Sequence, residues 1–244
     1  MKVNLKNCFI ILNEPRYPEN IGASARAIMN MGLGGLIVVR PYRFEMETVR
    51  KMATHEAKRI VDEMKIVGDL MTALSDFGYC VGTTARIGRQ RRPTHTPRSI
   101  GPEIAPISQE NKVAILFGSE KFGLTNEALR YCQAIVTIPT VDFSSINLAQ
   151  SVMILSYELA QTNVEDGVFT PKVANIRELE GMYQHLKEVF LEIGYINPEN
   201  PDYFMQNFRK LFSRIQLRKK EVKMIRGFCR QLLWRINTLK RRGG

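Results

Sequence analysis

The sequence predicts an α/β domain built on a mainly parallel sheet, followed by a small all-helical extension. Three observations carry this prediction. Apolar runs rich in β-branched residues recur between helical segments and stop at Gly, Thr, Ser or Pro, the pattern of strands buried on both faces. A polar stretch, TNVEDGVFTPKVAN (162–175), then interrupts the chain, and every periodic segment beyond it is helical. Charge divides the same way: residues 1–208 hold 22 Lys/Arg against 23 Asp/Glu, whereas residues 209–244 hold 13 Lys/Arg against Glu221 alone.

Taken in order, residues 8–13 (CFIILN) read as a short buried strand. PENIGASARAIMNMG from Pro18 reads as a helix that has small residues on one side and buries Ile28, Met29 and Met31, with Gly32 ending it. GLIVVR (35–40) is a second strand and residues 45–61 are helical. YCVGTTAR (79–86), KVAILFGS (112–119) and AIVTIP (134–139) are further strands. From Asn147, LAQSVMILSYELAQ carries apolar residues at helical spacing and packs on the sheet. Residues 176–193 place Ile176, Leu179, Met182, Tyr183, Leu186, Phe190 and Ile193 on one helical stripe; residues 203–213 and 219–239 repeat the pattern with dense Lys/Arg opposite.

The chain has 244 residues, 44% hydrophobic and 24% charged, which fits a globular protein with a substantial core and excludes disorder or collagen. No run approaches the ~18 apolar residues of a membrane span. Cys8, Cys80, Cys132 and Cys229 lie far apart, and His55, His95 and His185 form no ligand cluster. No metal site, no membrane association and a reducing cytoplasm are therefore expected. A near-neutral body with a basic arm points to a polyanion, nucleic acid above all.

In open parallel sheets the ligand lies beyond the carboxyl ends of the strands. Those ends are Asn13–Pro15, Thr83–Ala85, Gly118–Glu120 and the stretch from Pro139 to Ser145. There is no P-loop, and no GxGxxG follows the first strand, which disfavours an NTPase and a standard dinucleotide site. Gly32-Leu33-Gly34-Gly35 is a helix-to-strand turn. Asn20-Ile21-Gly22-Ala23-Ser24-Ala25-Arg26 combines small residues with a cation fit to grip a phosphate; alone it is equally tight helix packing with a solvated Arg. Leu116 to Leu124 (LFGSEKFGL) is a strand entering a Gly-bounded loop with one carboxylate. Phe143-Ser144-Ser145-Ile146-Asn147 sets hydroxyls and an amide at a helix start, where capping alone would explain a serine.

Together, in this order, the three motifs resemble the SPOUT class of RNA methyltransferases, in particular the SpoU/TrmH family of ribose methylases. Its elements read N-x-G-x-x-x-R, then FG-x-E-x-x-G, then IP followed by S-x-N-x-x-x-A. Asn20, Gly22 and Arg26 match the first, Gly118, Glu120 and Gly123 the second, and Ile138, Pro139, Ser145, Asn147 and Ala149 the third. Within that class the match is strongest to the TrmJ family of tRNA 2′-O-methyltransferases, which act at anticodon-loop position 32. LEGMYQHLKEVFLEIGYI, FRKLFSRIQ and IRGF extend it into the C-terminal helices.

The resemblance implies a Rossmann-like parallel sheet with a C-terminal trefoil knot, a rare topology. It also implies S-adenosylmethionine as cofactor, tRNA as partner, and a homodimer whose subunits complete each other's site. The implied domains are a methyltransferase domain at 1–162, a linker at 163–175 and a basic RNA-binding extension at 176–244. Carried over by motif, cofactor contacts fall on Thr83, Thr84, Ala85, Gly118, Ile138, Ser144, Ser145 and Ile146, and catalysis on Arg26, Glu120 and Asn147. RNA contacts fall on Asn20, Arg86, Arg209, Lys210, Arg214, Lys219 and Lys220. The cluster Arg86, Arg89, Arg91, Arg92 and Arg98 is either an RNA clamp or a loop tip. Since a guanidinium is a poor proton acceptor, Arg26 is read as a phosphate and oxyanion ligand. Ribosomal RNA methylation and a non-catalytic RNA-binding module are the alternatives.

Overall fold

The computed structural model describes residues 1–85, 95–141, 145–165 and 172–242. It comprises two units, Met1–Pro171 and Lys172–Gly244. In chain order the first contains β1 (Cys8–Asn13), α1 (Pro18–Met31), β2 (Gly35–Val39), α2 (Met46–Glu63), β3 (Lys65–Val67), α3 (Leu70–Leu74), β4 (Tyr79–Thr83), α4 (Pro97–Ile107), β5 (Val113–Phe117), α5 (Asn126–Leu129), β6 (Ala134–Val136) and α6 (Leu148–Gln161).

All six strands join one parallel sheet in the order β3-β2-β1-β5-β4-β6. Ile10, Leu12, Val38, Val81, Val113 and Ile115 are fully buried, as a sheet covered on both faces requires. β1 sits between β2 and β5, with Leu12 opposite both Val38 and Phe117. Three strands thus end side by side, and their following loops share one edge of the sheet.

Gly32 ends α1 in the left-handed conformation (φ 76°), and its N–H donates to the Ile28 carbonyl. The small residues of α1 serve an intramolecular approach. A Cβ on Gly22 would lie 2.3 Å from the Val49 carbonyl oxygen and 2.7 Å from Met52 Cβ, so α2 packs against α1 backbone to side chain. Four elements, β3, α3, α4 and α5, have no counterpart among the expected ones. β3 is a three-residue edge strand, and α4 starts at a Thr96–Ser99 capping box despite Pro97, Pro102 and Pro106. The strands expected over 79–86 and 134–139 are shorter, ending at Thr83 and Val136. Ala85 and Ile138 thereby lie outside the ladder, while the Thr84 N–H still donates to the Val136 carbonyl at 3.0 Å.

Residues at both ends of the expected linker make backbone contacts. Asn163 bridges Lys2, and the Val164 N–H donates to the Met1 carbonyl at 2.9 Å. In the second unit Val173 bridges Arg218, and Asn175 with Glu178 forms the capping box that starts the next helix.

That unit consists of α7 (Ile176–Glu192), α8 (Pro201–Ser213) and α9 (Lys219–Arg242) around Met182, Tyr183, Leu186, Val189, Met205, Val222 and Cys229. Of the α7 stripe Ile176, Met182, Tyr183 and Leu186 are buried and Leu179 and Phe190 half-buried, but Ile193 lies past the last turn and is exposed. No helix among the described residues is long and apolar enough to cross a membrane.

Candidate active site

At the carboxyl edge of the sheet the loops after β4, β5 and β6 surround a cavity of about 290 Å³, near the lower end of the ~300–1,000 Å³ typical of ligand sites. Thr83, Thr84, Ala85, Gly118, Ile138, Ser145 and Ile146 all line it. Ser144 lies outside the described residues. The predicted catalytic residue Glu120 lines it as well, as do Phe117, Ser119, Lys121, Phe122, Gly123, Val136, Leu148 and Ser151.

Two hydroxyl bonds fix the rim. Thr83 Oγ1 donates to the Leu116 carbonyl at 3.0 Å, and Thr137 Oγ1 donates to the Thr84 carbonyl at 2.8 Å. The β5 loop closes on itself: the Gly123 N–H donates to the Ser119 carbonyl at 2.8 Å, with Gly123 at φ 61°. A Cβ on Gly118 would lie 2.0 Å from the Gly123 carbonyl carbon, so only glycine permits this return of the backbone.

Beside the cavity a hydrogen-bond chain knits the three motifs together. Glu120 accepts from the Arg16 backbone N–H at 2.8 Å and from Asn20 Nδ2 at 2.7 Å. Asn20 Oδ1 accepts from Asn147 Nδ2 at 3.0 Å. Asn147 Oδ1 in turn accepts the backbone N–H groups of Ala149 and Gln150, at 2.9 and 3.3 Å, and so caps α6. The helix cap is therefore Asn147 rather than a serine, and Ser145 is left exposed at the cavity.

A family model for the SpoU rRNA methylase family matches residues 7–157, which hold the sheet, the cavity and this network. The chain belongs to the SpoU methylase family. A second model, the C-terminal domain of the tRNA methyltransferase TrmJ, matches residues 177–242. The tRNA (cytidine/uridine/adenosine-2′-O-)-methyltransferase TrmJ of Pseudomonas aeruginosa is 34% identical over 233 residues, covering 89% of this chain and 90% of that protein. The tRNA (cytidine/uridine-2′-O-)-methyltransferase TrmJ of Sodalis glossinidius is also 34% identical, covering 91% and 90%. The crystal structure of TrmJ from Z. mobilis superposes with a TM-score of 0.79 at 30% identity, covering 91% of this chain and 97% of that one.

Against this SpoU framework the remaining candidate residues fall into distinct places. Asn20 is buried, and its amide is engaged at both ends. Arg26 is exposed on α1, does not line the cavity of its own chain, and makes no ion pair among the described residues. In the second unit Arg209 forms a two-pronged ion pair with Glu180, its Nη2 lying 2.7 Å from Oε2, and stacks 4.3 Å over the Tyr183 ring. Lys219 is held by Glu178 at 2.9 Å. Lys210, Arg214 and Lys220 are exposed. Arg86, Arg89, Arg91 and Arg92 lie outside the described residues; Arg98, on α4, is 3.7 Å from Glu158.

Sequence reasoning missed Ser151, Lys121 and Phe122 on the cavity wall. Ser151 stands one turn after the cap, with Oγ donating to the Asn147 carbonyl at 3.1 Å, and that i, i+4 spacing is the signal that would have found it. Lys121 and Phe122 lie inside a quoted motif but outside its pattern letters.

Proposed function

We propose that this chain is a cytoplasmic, S-adenosylmethionine-dependent tRNA ribose 2′-O-methyltransferase acting on anticodon-loop nucleotide 32. The observation that carries the reading is the convergence of three distant motifs on one cavity, joined by the Glu120–Asn20–Asn147 chain. The likeness to TrmJ proteins over both units supports the tRNA substrate. The knotted threading and the homodimer belong to the same reading.

The cavity wall fits the cofactor. Phe117, Val136, Ile138 and Leu148 offer apolar surface to a flat purine, while Thr83, Ser145 and Ser151 bring hydroxyls. When bound, S-adenosylmethionine supplies an activated methyl group. The protein's part is positioning, since holding two reactants in near-attack geometry contributes on the order of 7–11 kcal/mol.

Glu120 and Asn147 act as positioning residues: through Asn20 they lock the β5 loop, the first turn of α1 and the start of α6 around the cavity. Arg26 is the catalytic candidate. It stands clear of its own chain's cavity, so the working site combines the Arg26 of one copy with the cavity of a second. There the guanidinium binds the phosphate beside the target ribose and stabilises charge developing on the 2′-oxygen as its proton leaves. The basic face of the second unit holds the rest of the RNA.

Labelled cofactor incubated separately with total tRNA and with ribosomal RNA tests the assignment. Label is expected in tRNA, at the ribose of nucleotide 32. Label in ribosomal RNA alone would remove the tRNA reading.

A further inference from the structure

The three loops that follow β1, β2 and β5 carry aromatic side chains to the surface. Tyr17 is 51% exposed, Tyr42 67% and Phe122 58%. Two of these rings are paired with a cation. The Arg16 guanidinium lies 4.6 Å from the Tyr42 ring centroid, and Lys121 Nζ lies 5.2 Å from that of Phe122.

The backbones that present them are fixed. The Tyr42 N–H donates to the Pro15 carbonyl at 2.9 Å, the Glu14 N–H donates to the Val39 carbonyl at 2.8 Å, and Arg40 bonds Glu14 at 2.5 Å. Glu14 (φ 56°) and Arg40 (φ 42°) are held in the left-handed region, which costs a non-glycine residue of order 1 kcal/mol or more and persists only where surroundings enforce it. The Arg16 N–H is held by Glu120, and the Phe122 N–H donates to Ser119 Oγ at 3.3 Å. Lys121 and Phe122 also line the cavity, and the bond from the Arg16 N–H to Glu120, another lining residue, ties the loop beneath Tyr42 to the same wall.

The charges favour an anionic partner. Glu14 is paired with Arg40, and Glu120 keeps its charge but has both oxygens taken up by the Arg16 backbone N–H and Asn20. Arg16, Arg43 and Lys121 have no carboxylate partner among the described residues. Aromatic faces interleaved with unpaired cations on rigid backbone are the means by which proteins hold unstacked nucleobases while gripping the phosphates between them.

We infer that Arg16, Tyr42, Lys121 and Phe122 form a stacking platform for an unpaired RNA base next to the nucleotide whose ribose is methylated. The inference rests on the methyl-transfer reading and adds a basis for substrate selection. A base inside a duplex has both faces covered, so the platform accepts loop nucleotides and rejects helical ones.

The test uses the full chain and a synthetic anticodon stem-loop carrying 2-aminopurine at one loop position at a time. Binding to the unaltered protein is expected to change the probe's fluorescence at a position next to the methylated nucleotide. Tyr42→Ala and Phe122→Ala should each weaken RNA binding roughly 5- to 150-fold and abolish that change. Tyr42→Phe, which keeps the ring, should restore both. For Tyr42→Ala, KM for RNA should rise while kcat and cofactor affinity stay unchanged.

Unchanged affinity and fluorescence in both alanine variants would overturn the platform. So would Tyr42→Phe behaving like Tyr42→Ala, because the ring would then not be what matters. Conversion of a dimer to a monomer by Tyr42→Ala with RNA affinity intact would overturn it too, marking this face as an interface between copies. If the unaltered protein binds and shows the fluorescence change yet transfers no methyl group, the methyl-transfer reading falls and the platform stands.

Discussion

Replacing Glu120 by glutamine changes one oxygen for an amino group, and the hydrogen-bond chain shows why so small a change matters. Donation runs one way. The Arg16 N–H and Asn20 Nδ2 both give to Glu120, Asn147 Nδ2 gives to Asn20, and the α6 N–H groups give to Asn147. The direction is pinned by backbone donors at both ends, so no amide flip can reverse it. A glutamine in place of Glu120 therefore faces a donor with a donor whichever way it turns. The loss is about one hydrogen bond to an ionised acceptor, ~2 kcal/mol, which lowers Tm by about 4–8 °C in a unit of this size.

Asn20→Asp alone should do more harm, since it sets two carboxylates face to face. The double variant Glu120→Gln with Asn20→Asp restores every donor–acceptor pair: the introduced glutamine accepts from the Arg16 N–H and donates to the introduced aspartate, which also accepts from Asn147. Urea unfolding of the single and double variants measures this directly. Recovery of most of the lost stability in the double variant is the expected result. A Glu120→Gln protein within about 0.5 kcal/mol of the parent, or a double variant showing the sum of the two losses, would refute the directional chain. Methyl transfer by the stable double variant then reports whether the position of the charge matters to chemistry as well as to folding.

Arg26→Ala should leave the melt unchanged, since the side chain is exposed and makes no ion pair among the described residues, while single-turnover methylation falls at least about a hundredfold, or ~2.7 kcal/mol. Arg26→Lys should recover little of that loss, lacking the planar fork. Gly118→Ala places a methyl group 2.0 Å from the Gly123 backbone, so the β5 loop must open; calorimetry should show cofactor affinity falling at least about tenfold. Removing Lys210, Arg214 and Lys220 together should flatten the log–log salt dependence of tRNA binding by about 2–3 units. Arg209→Ala should instead destabilise the helical unit by about 2 kcal/mol by stranding Glu180. Burial pushes the Cys8 thiol from near 9.0 up to about 12. Its contribution to stability is full below pH 9 and is lost as pH rises towards 12, up to about 4 kcal/mol; Cys8→Ala should flatten that alkaline decline in unfolding experiments.

Five of the six strands are legible in the sequence: the four central ones are continuous apolar runs, and the edge strand β6 still buries Ala134 and Val136. The sixth is not, because β3 has three residues at an edge with Lys65 and Ile66 facing solvent. The prolines of α4 hide a helix that its capping box nonetheless starts. The cavity is legible through residue types that need close backbone approach, Gly118 above all. What residue types cannot convey is the partner a polar side chain finds across the fold. Asn20, which the motif places on RNA, meets Glu120 and Asn147. Arg209, counted among phosphate ligands from charge density, meets Glu180 on another helix. Gly22 belongs to a motif yet answers to α2.

The span of the hydrogen-bond chain also sets an order of events in synthesis. Asn20 pairs with residues 100 and 127 positions further along. At the ~5–20 residues per second of translation, Asn147 emerges roughly 6 to 25 s after Asn20. During that interval the β1 and β2 loops can bond each other, but the link to α6 through Asn147 is missing. The scaffold strands β1 and β2 are by then available to pair, but the cavity is assembled only when α6 arrives to be capped. Contacts of such long sequence separation form slowly, so the cavity is among the last parts of the first unit to take shape.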